Sequence, residues 1–236
     1  MKKVKYLEVD DDVNVFVVGD IHGEFTQLHT KLKEIDFNFQ QDLLIAVGDL
    51  VDRGKENELC VDLLKESWFT SVKGNHEDFC VKGVDDEHIA FYHKMTNNGG
   101  EWFYSWSKSV QKGLAEIFSG LPILLEVKYM SKKFGFVHAD LPVEDWELLK
   151  EMLEQGDSIG DRTIEDYCLW SRGIIDKYLN YGYEPTIAQV DNVFLGHTVL
   201  PKVTQVGNCT FLDTGGVFKK FDNGYDLSII RLEDYV

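Results

Sequence analysis

A layered α/β protein with two β-sheets is the fold class that three features of the sequence predict. Short β-branched or aromatic runs lie near both ends of the chain, helix-like stretches fill the middle, and the early runs alternate with helical patterns. That alternation is the signature of parallel β-α-β units. Val13-Asn14-Val15-Phe16-Val17-Val18 reads as the first strand and closes on Gly19-Asp20. Phe25, Leu28, Leu32 and Ile35 then recur near helical spacing. Leu43-Leu44-Ile45-Ala46-Val47 is the second strand, closed by Gly48-Asp49, and residues 56–65 look helical. A third strand over 69–73 ends in Gly74-Asn75-His76.

After residue 76 the pattern changes. Residues 77–119 read as mostly helical, and the aromatic cluster Trp102, Phe103, Tyr104 and Trp106 reads as helix core rather than a substrate platform. A hairpin follows, with strands over 123–130 and 134–138 and a turn at Ser131-Lys132-Lys133. Residues 139–196 read as largely helical before a strand at Val193-Phe194-Leu195. The last runs, 202–206, 209–212 and 227–232, are spaced like an antiparallel meander.

Composition bounds what such a fold can do. The chain has 236 residues, 44% hydrophobic and 28% charged, so it can bury a full core without staples. No repeat and no Pro/Gly/Ser-rich linker interrupts it, and one domain over 1–236 is expected. The net charge of −17 weighs against general nucleic-acid binding and anionic membranes, since both polyanions would be repelled. No apolar run approaches the ~18–20 residues of a membrane helix. The basic start at Lys2, Lys3 and Lys5 runs into Asp10-Asp11-Asp12 without the hydrophobic stretch of a signal peptide. Cys60, Cys80, Cys168 and Cys209 form no C-x-x-C pair, which excludes a zinc ribbon and fits reduced, buried thiols. The expected location is the cytoplasm.

Chemistry concentrates at the strand ends. His22, His76, His138 and His197 each sit at or just past an apolar strand, among Gly, Asp or Asn. His29, His88 and His93 lie in polar, helix-like stretches and read as structural or surface residues. Gly19-Asp20-Ile21-His22-Gly23 places a carboxylate and an imidazole two apart, on one side of an extended segment, where both can reach one cation. Gly48-Asp49-Leu50-Val51-Asp52-Arg53-Gly54 adds two carboxylates and an arginine, and Gly74-Asn75-His76-Glu77 a neutral oxygen ligand beside an imidazole. Ligands gather at the carboxyl ends of strands in open α/β sheets, and these segments converge there.

With these motifs the sequence resembles the calcineurin-like metallophosphoesterases, which carry G-D-x-H-G, G-D-x-x-D-R-G and G-N-H-E followed by two further histidines. Residues 19–23, 48–54 and 74–77 match without a gap, and Val137-His138-Ala139 and Gly196-His197-Thr198 complete the set. Asp52 and Glu77 are features of the phosphoprotein phosphatase branch. Leu169-Trp170-Ser171-Arg172 and Leu212-Asp213-Thr214-Gly215 look most like the lambda-phage-type bacterial serine/threonine protein phosphatases. Lys73 departs from the pattern, since many relatives have arginine there.

The resemblance implies a β-sandwich of two mixed sheets flanked by helices. It implies one metal ion held by Asp20, His22 and Asp49 and a second by Asp49, Asn75, His138 and His197, with Asp49 bridging. Mixed nitrogen and oxygen ligands without cysteine suit Mn²⁺, Fe, Zn²⁺ or Co²⁺ better than Mg²⁺, and the resemblance favours Mn²⁺. It pairs Asp52 with His76 as the general acid and assigns phosphate clamping to Arg53 and Arg172. Only four arginines occur, and Arg162 is the rival to Arg172. The activity implied is hydrolysis of phosphoserine or phosphothreonine in a protein or peptide, by direct attack of a metal-bridging hydroxide. Two alternatives stand beside it. One is hydrolysis of nucleotide polyphosphates such as diadenosine tetraphosphate, against which Asp52 weighs, or of RNA 5′ ends. The other is a non-catalytic phosphopeptide-binding protein, against which the intact ligand set weighs.

Overall fold

The computed structural model describes residues 2–95, 97–222 and 224–236. Strand β1 (Val4–Glu8) is followed by β2 (Val15–Val18), helix α1 (Phe25–Glu34), β3 (Leu43–Ala46), α2 (Asn57–Asp62) and β4 (Phe69–Ser71). Four helices come next: α3 (Asn75–Gly83), α4 (Glu87–His93), α5 (Glu101–Ser105) and α6 (Lys108–Ser119). The hairpin β5 (Leu124–Tyr129) and β6 (Lys132–Val137) leads to α7 (Trp146–Gln155), the two-residue strands β7 (Ser158–Ile159) and β8 (Arg162–Thr163), α8 (Ile164–Trp170) and α9 (Gly173–Tyr181). The chain ends through β9 (Asn192–Leu195), β10 (Thr204–Val206), β11 (Cys209–Phe211) and β12 (Ile229–Arg231).

Two mixed sheets result, ordered β12-β2-β3-β4 and β1-β5-β6-β9-β11-β10. Side-chain alternation stacks them. Val15, Val17, Ile45 and Val47 turn toward Leu125, Val127, Phe134, Phe136 and Phe194 of the facing sheet. Phe16, Val18, Leu44 and Ala46 point the other way, onto Leu28 and Leu32 of α1, Phe103 of α5 and Phe118 of α6. Across the molecule, Leu124, Val137, Val193 and Leu195 pack against Trp146, Leu149, Leu169 and Ile175. The layers therefore run helix, sheet, sheet, helix. This explains why β2 is buried at every position and apolar on both faces.

The early strands and the helical 77–119 stretch form as expected, residue 96 lying outside the described residues. Four details differ. β1 was not anticipated, because it is an edge strand with a single buried residue, Val4, and shows no clean alternation. It pairs in parallel with β5, from Val4 against Leu124 to Glu8 against Lys128. The largely helical 139–196 stretch is interrupted by the small β7–β8 ribbon.

The tail is not a meander. β10 and β11 form a hairpin, but β11 already pairs with β9 on its other edge. β12 instead crosses to the other sheet and takes the open edge of β2, antiparallel, with Ile229 against Val18.

The hairpin turn is also corrected. Tyr129 pairs with Lys132, so Met130 and Ser131 are the turn and Lys132-Lys133 belong to the strand. Both turn residues have positive φ, 48° and 63°, as a type I′ turn requires. A non-glycine residue pays for that conformation. Ser131→Gly is therefore expected to raise stability by about 1 kcal/mol, read as a higher urea midpoint at unchanged m-value. An unmoved midpoint would remove the strain argument.

All four cysteines are free and buried. Among the described residues, no helix is long and apolar enough to cross a membrane.

Candidate active site

Strand ends from both sheets deliver the predicted ligands. Asp20 and His22 follow β2, Asp49 follows β3, Asn75 begins α3 after β4, His138 follows β6 and His197 follows β9. The backbone there is unusual. Among the described residues, nine non-glycine residues have positive φ, and five of them are His22, Asp49, Asp52, Arg53 and His197. Such strain persists where surrounding structure over-determines it. Two glycines let the motifs interlock: a Cβ on Gly74 would stand 2.1 Å from Asp49 Oδ1, and one on Gly48 2.8 Å from His138 Nδ1.

Glu77 clamps this region. Its carboxylate accepts from the backbone N–H groups of Leu50 (2.8 Å), Asp49 (3.0 Å), Val51 (3.3 Å) and Gly74 (2.8 Å). Burial and the neighbouring Asp49 charge push its carboxyl up to about 7.

Two groups of side chains share Asp49. His22, Asp49 and His76 form one group, and Asp49, His138 and His197 the other, each with its ligand-type atoms within 4.8 Å of one another. Asp49 Oδ2 lies 3.6 Å from His22 Nε2 and 3.4 Å from His138 Nε2. Asn75 Oδ1 lies 2.8 Å from His138 Nε2 and 2.9 Å from His197 Nδ1. Asp20 belongs to neither group; both its oxygens accept from the His197 N–H.

The proton inventory tests whether these atoms suit cations. His22 Nδ1 donates to the Val51 carbonyl and His138 Nδ1 to the Val47 carbonyl, because a carbonyl only accepts. Each ring is thereby oriented with Nε2 toward the carboxylate and amide oxygens, as second-partner hydrogen bonds orient ligand imidazoles. His22 Nε2 already meets a cationic group, the Arg53 guanidinium at 2.6 Å. Burial, then the Arg53 charge, pushes His22 well down, and burial, then the charges on His138 and Arg172, brings His197 down to about 2. Both stay neutral, the form that ligates metals. Burial with Asp213 and Asp49 alongside pushes Asp20 well up. Burial lowers His138, but the Asp49 charge and hydrogen bonds outweigh it and raise that ring; clustered buried carboxylates and imidazoles are donors that fit divalent cations.

Asp52 joins this cluster through His76, a member of the first group. His76 Nδ1 lies 2.7 Å from Asp52 Oδ2, and its Nε2 lies 3.9 Å from Asp49 Oδ2. Burial raises the Asp52 carboxyl, but hydrogen bonds from His76 and His93 outweigh it and hold it at about 2.

Of the arginine rivals, Arg172 lies close enough to His197 for its charge to depress that ring. Asp140 holds its loop by accepting from Gly173 N–H (2.7 Å) and Ile174 N–H (3.3 Å). Arg162 is spent elsewhere, donating to the Asp166 carbonyl and lying over Tyr167. Lys73 is buried and turned to Glu165, 4.0 Å away. Beside Arg53 opens a cavity of about 660 Å³, lined in part by Trp102, Phe218, Lys220 and Phe221.

His93, read from the sequence as structural or surface, is not a surface residue. It is fully buried, and its Nε2 lies 2.6 Å from Asp52 Oδ2. The aromatic cluster is likewise divided. Phe103 is core and Trp106 is exposed, whereas Trp102 Nε1 donates to Asp52 Oδ1 at 2.6 Å. No motif marks His93 or Trp102 in the sequence; only packing brings them to Asp52.

The fold and this strand-end cluster define a metallophosphoesterase. The chain matches the Calcineurin-like phosphoesterase family over residues 13–224 and belongs to it. Divalent metal binding is a property of that family. Among proteins it is similar to is serine/threonine-protein phosphatase 1 of Salmonella typhimurium strain LT2, 34% identical over 93% of this chain and 92% of the relative. A symmetrical bis(5′-nucleosyl)-tetraphosphatase of Actinobacillus pleuropneumoniae serotype 3 is 39% identical, but over only 26% of this chain and 24% of its own. The solved structure of a protein serine/threonine phosphatase from Saccharomyces cerevisiae, similar to human phosphatase PP5, shares the fold. Its TM-score is 0.62 at 17% identity, covering 96% of this chain and 82% of that one.

Proposed function

We propose that this protein is a binuclear protein-serine/threonine phosphatase that uses Mn²⁺ in preference to Fe, Zn²⁺ or Co²⁺. The observation that carries the reading is the Asp52–His76 hydrogen bond, 2.7 Å, with His76 drawn into one of the two side-chain groups that share Asp49. One metal ion would be held by Asp20, His22 and Asp49, the other by Asp49, Asn75, His138 and His197. When bound, the ions supply Lewis-acid polarisation of the phosphoryl group and activation of water at neutral pH.

The chain's own residues then do the rest. Arg53 and Arg172 are the guanidinium groups that would receive the phosphate oxygens and offset developing charge. Asp52 accepts from His76 Nδ1–H and orients the ring, leaving Nε2 to hold the proton that the departing serine or threonine alkoxide needs. The cavity beside Arg53 gives the polypeptide around the phosphoresidue an apolar surface. Because the ligands come from both sheets, the whole chain would work as one metallophosphoesterase unit. Unpaired, buried cysteines suit the reducing cytoplasm.

Initial rates of the Mn²⁺-loaded protein on a phosphoserine peptide, a phosphotyrosine peptide and diadenosine tetraphosphate test this directly. The phosphoserine peptide is expected to have the highest kcat/KM, by about tenfold or more, since the proton relay serves a basic alkoxide. A higher kcat/KM on diadenosine tetraphosphate would replace the protein phosphatase reading with the nucleotide one.

A further inference from the structure

We propose that His93 is a positioning residue for proton delivery, which together with Trp102 holds the Asp52 carboxylate in the orientation that presents His76 to the leaving group. This rests on the phosphatase reading above. His93 ends α4, 41 residues away from Asp52 along the chain. Its Nε2 meets the carboxylate oxygen that also takes His76 Nδ1, at 2.6 Å and 2.7 Å, while Trp102 Nε1 holds the other oxygen at 2.6 Å. An ionised carboxylate only accepts, so His93 donates through Nε2–H. Its Nδ1 faces the Tyr104 hydroxyl at 3.0 Å, a group able to donate or accept.

The His93 ring has no freedom to leave this arrangement. Phe79 stacks on it, centroids 5.1 Å apart and planes 13° from parallel. Gly100 presses against its edge, where a Cβ would stand 2.1 Å from His93 Cδ2. Both ring nitrogens are tied. Asp52 cannot rotate without losing a donor on each oxygen, and His76 is held by the same carboxylate. Stability alone does not call for two imidazoles on one buried oxygen, because a buried polar network is seldom better than an apolar core of the same volume. What the network does supply is a rigid support for a proton donor, and misplacement of catalytic groups is costly.

His93→Phe keeps a ring against Phe79 and removes the donor; His93→Gln keeps a donor on a flexible chain. Rates are measured on a phosphoserine peptide and on p-nitrophenyl phosphate, whose leaving group is stable without a proton, with metal content determined for each protein. Misplacing a catalytic group by about 1 Å can cost on the order of 10²-fold, so a loss of roughly 10–100-fold is the scale here. His93→Phe is expected to lose that much on the peptide and less than about threefold on p-nitrophenyl phosphate. His93→Gln should recover most of the peptide activity. If circular dichroism shows His93→Phe unfolded, His93→Asn, too short to reach Asp52, is compared with His93→Gln by the same criteria. Equal losses on both substrates at full metal content, or no recovery in His93→Gln, would overturn the proposal. A wild-type protein inactive on both substrates would instead overturn the phosphatase reading and this inference with it, so the wild-type control separates the two failures.

Discussion

Asp49→Asn is expected to strip the protein of both metal ions and to lower turnover by at least about 10³-fold, since Lewis-acid stabilisation contributes several kcal/mol and each 1.4 kcal/mol is a factor of ten. Asp49 is the one carboxylate common to the two side-chain groups, 3.6 Å from His22 Nε2 and 3.4 Å from His138 Nε2. An amide there presents one oxygen and no charge, while Asp20 and Asp213 remain buried nearby. Chelation of the wild-type protein should give the same loss, reversed by Mn²⁺. Asp52→Asn provides the contrast. It lies outside the proposed ligand set and should keep its metal while kcat falls. Elemental analysis beside initial rates decides the matter: equal metal loss in both variants, or full activity in metal-free protein, would contradict the assignment.

The second large effect concerns the leaving group. His76→Asn is expected to cost about 10²–10⁴-fold on a phosphoserine peptide, the usual range for general acid catalysis. On p-nitrophenyl phosphate the loss should be far smaller, because p-nitrophenolate departs without a proton. The variant keeps what holds Asp49: the His76 backbone N–H still donates to Asp49 Oδ1 (3.0 Å), and the Asp49 loop is clamped by Glu77. Arg53→Ala is the control, since clamping phosphate serves both substrates and both should suffer alike. Should His76→Asn slow the two substrates equally at full metal occupancy, the proton donor must be another group.

The same variants separate what was legible along the chain from what was not. Strand ends at Asp20, Asp49 and Asn75 could be read because each is a local event: a short apolar or β-branched run, then a glycine that permits a tight turn. The histidines at 138 and 197 were legible for the same reason, each at the close of a buried strand. β1 carries no comparable local signature, and β12, legible as a strand within 227–232, carries none for its pairing partner. One is a polar edge, and the other was misplaced because its partner, β2, lies more than 200 residues earlier and pairing edges are set by the sheet rather than by spacing.

Motif spacing and side-chain alternation act over a few residues, which is why the family, the layered class and the candidate ligands were legible along the chain. Tertiary packing alone brought Glu77 onto the second motif and closed His93 and Trp102 on Asp52. Those contacts join segments separated by tens of residues, and whether a histidine on a polar helix faces solvent or a buried carboxylate depends on how that helix packs. A histidine next to a strand-end glycine announces itself. One at the end of α4 acquires its partner only when the helices close over the site.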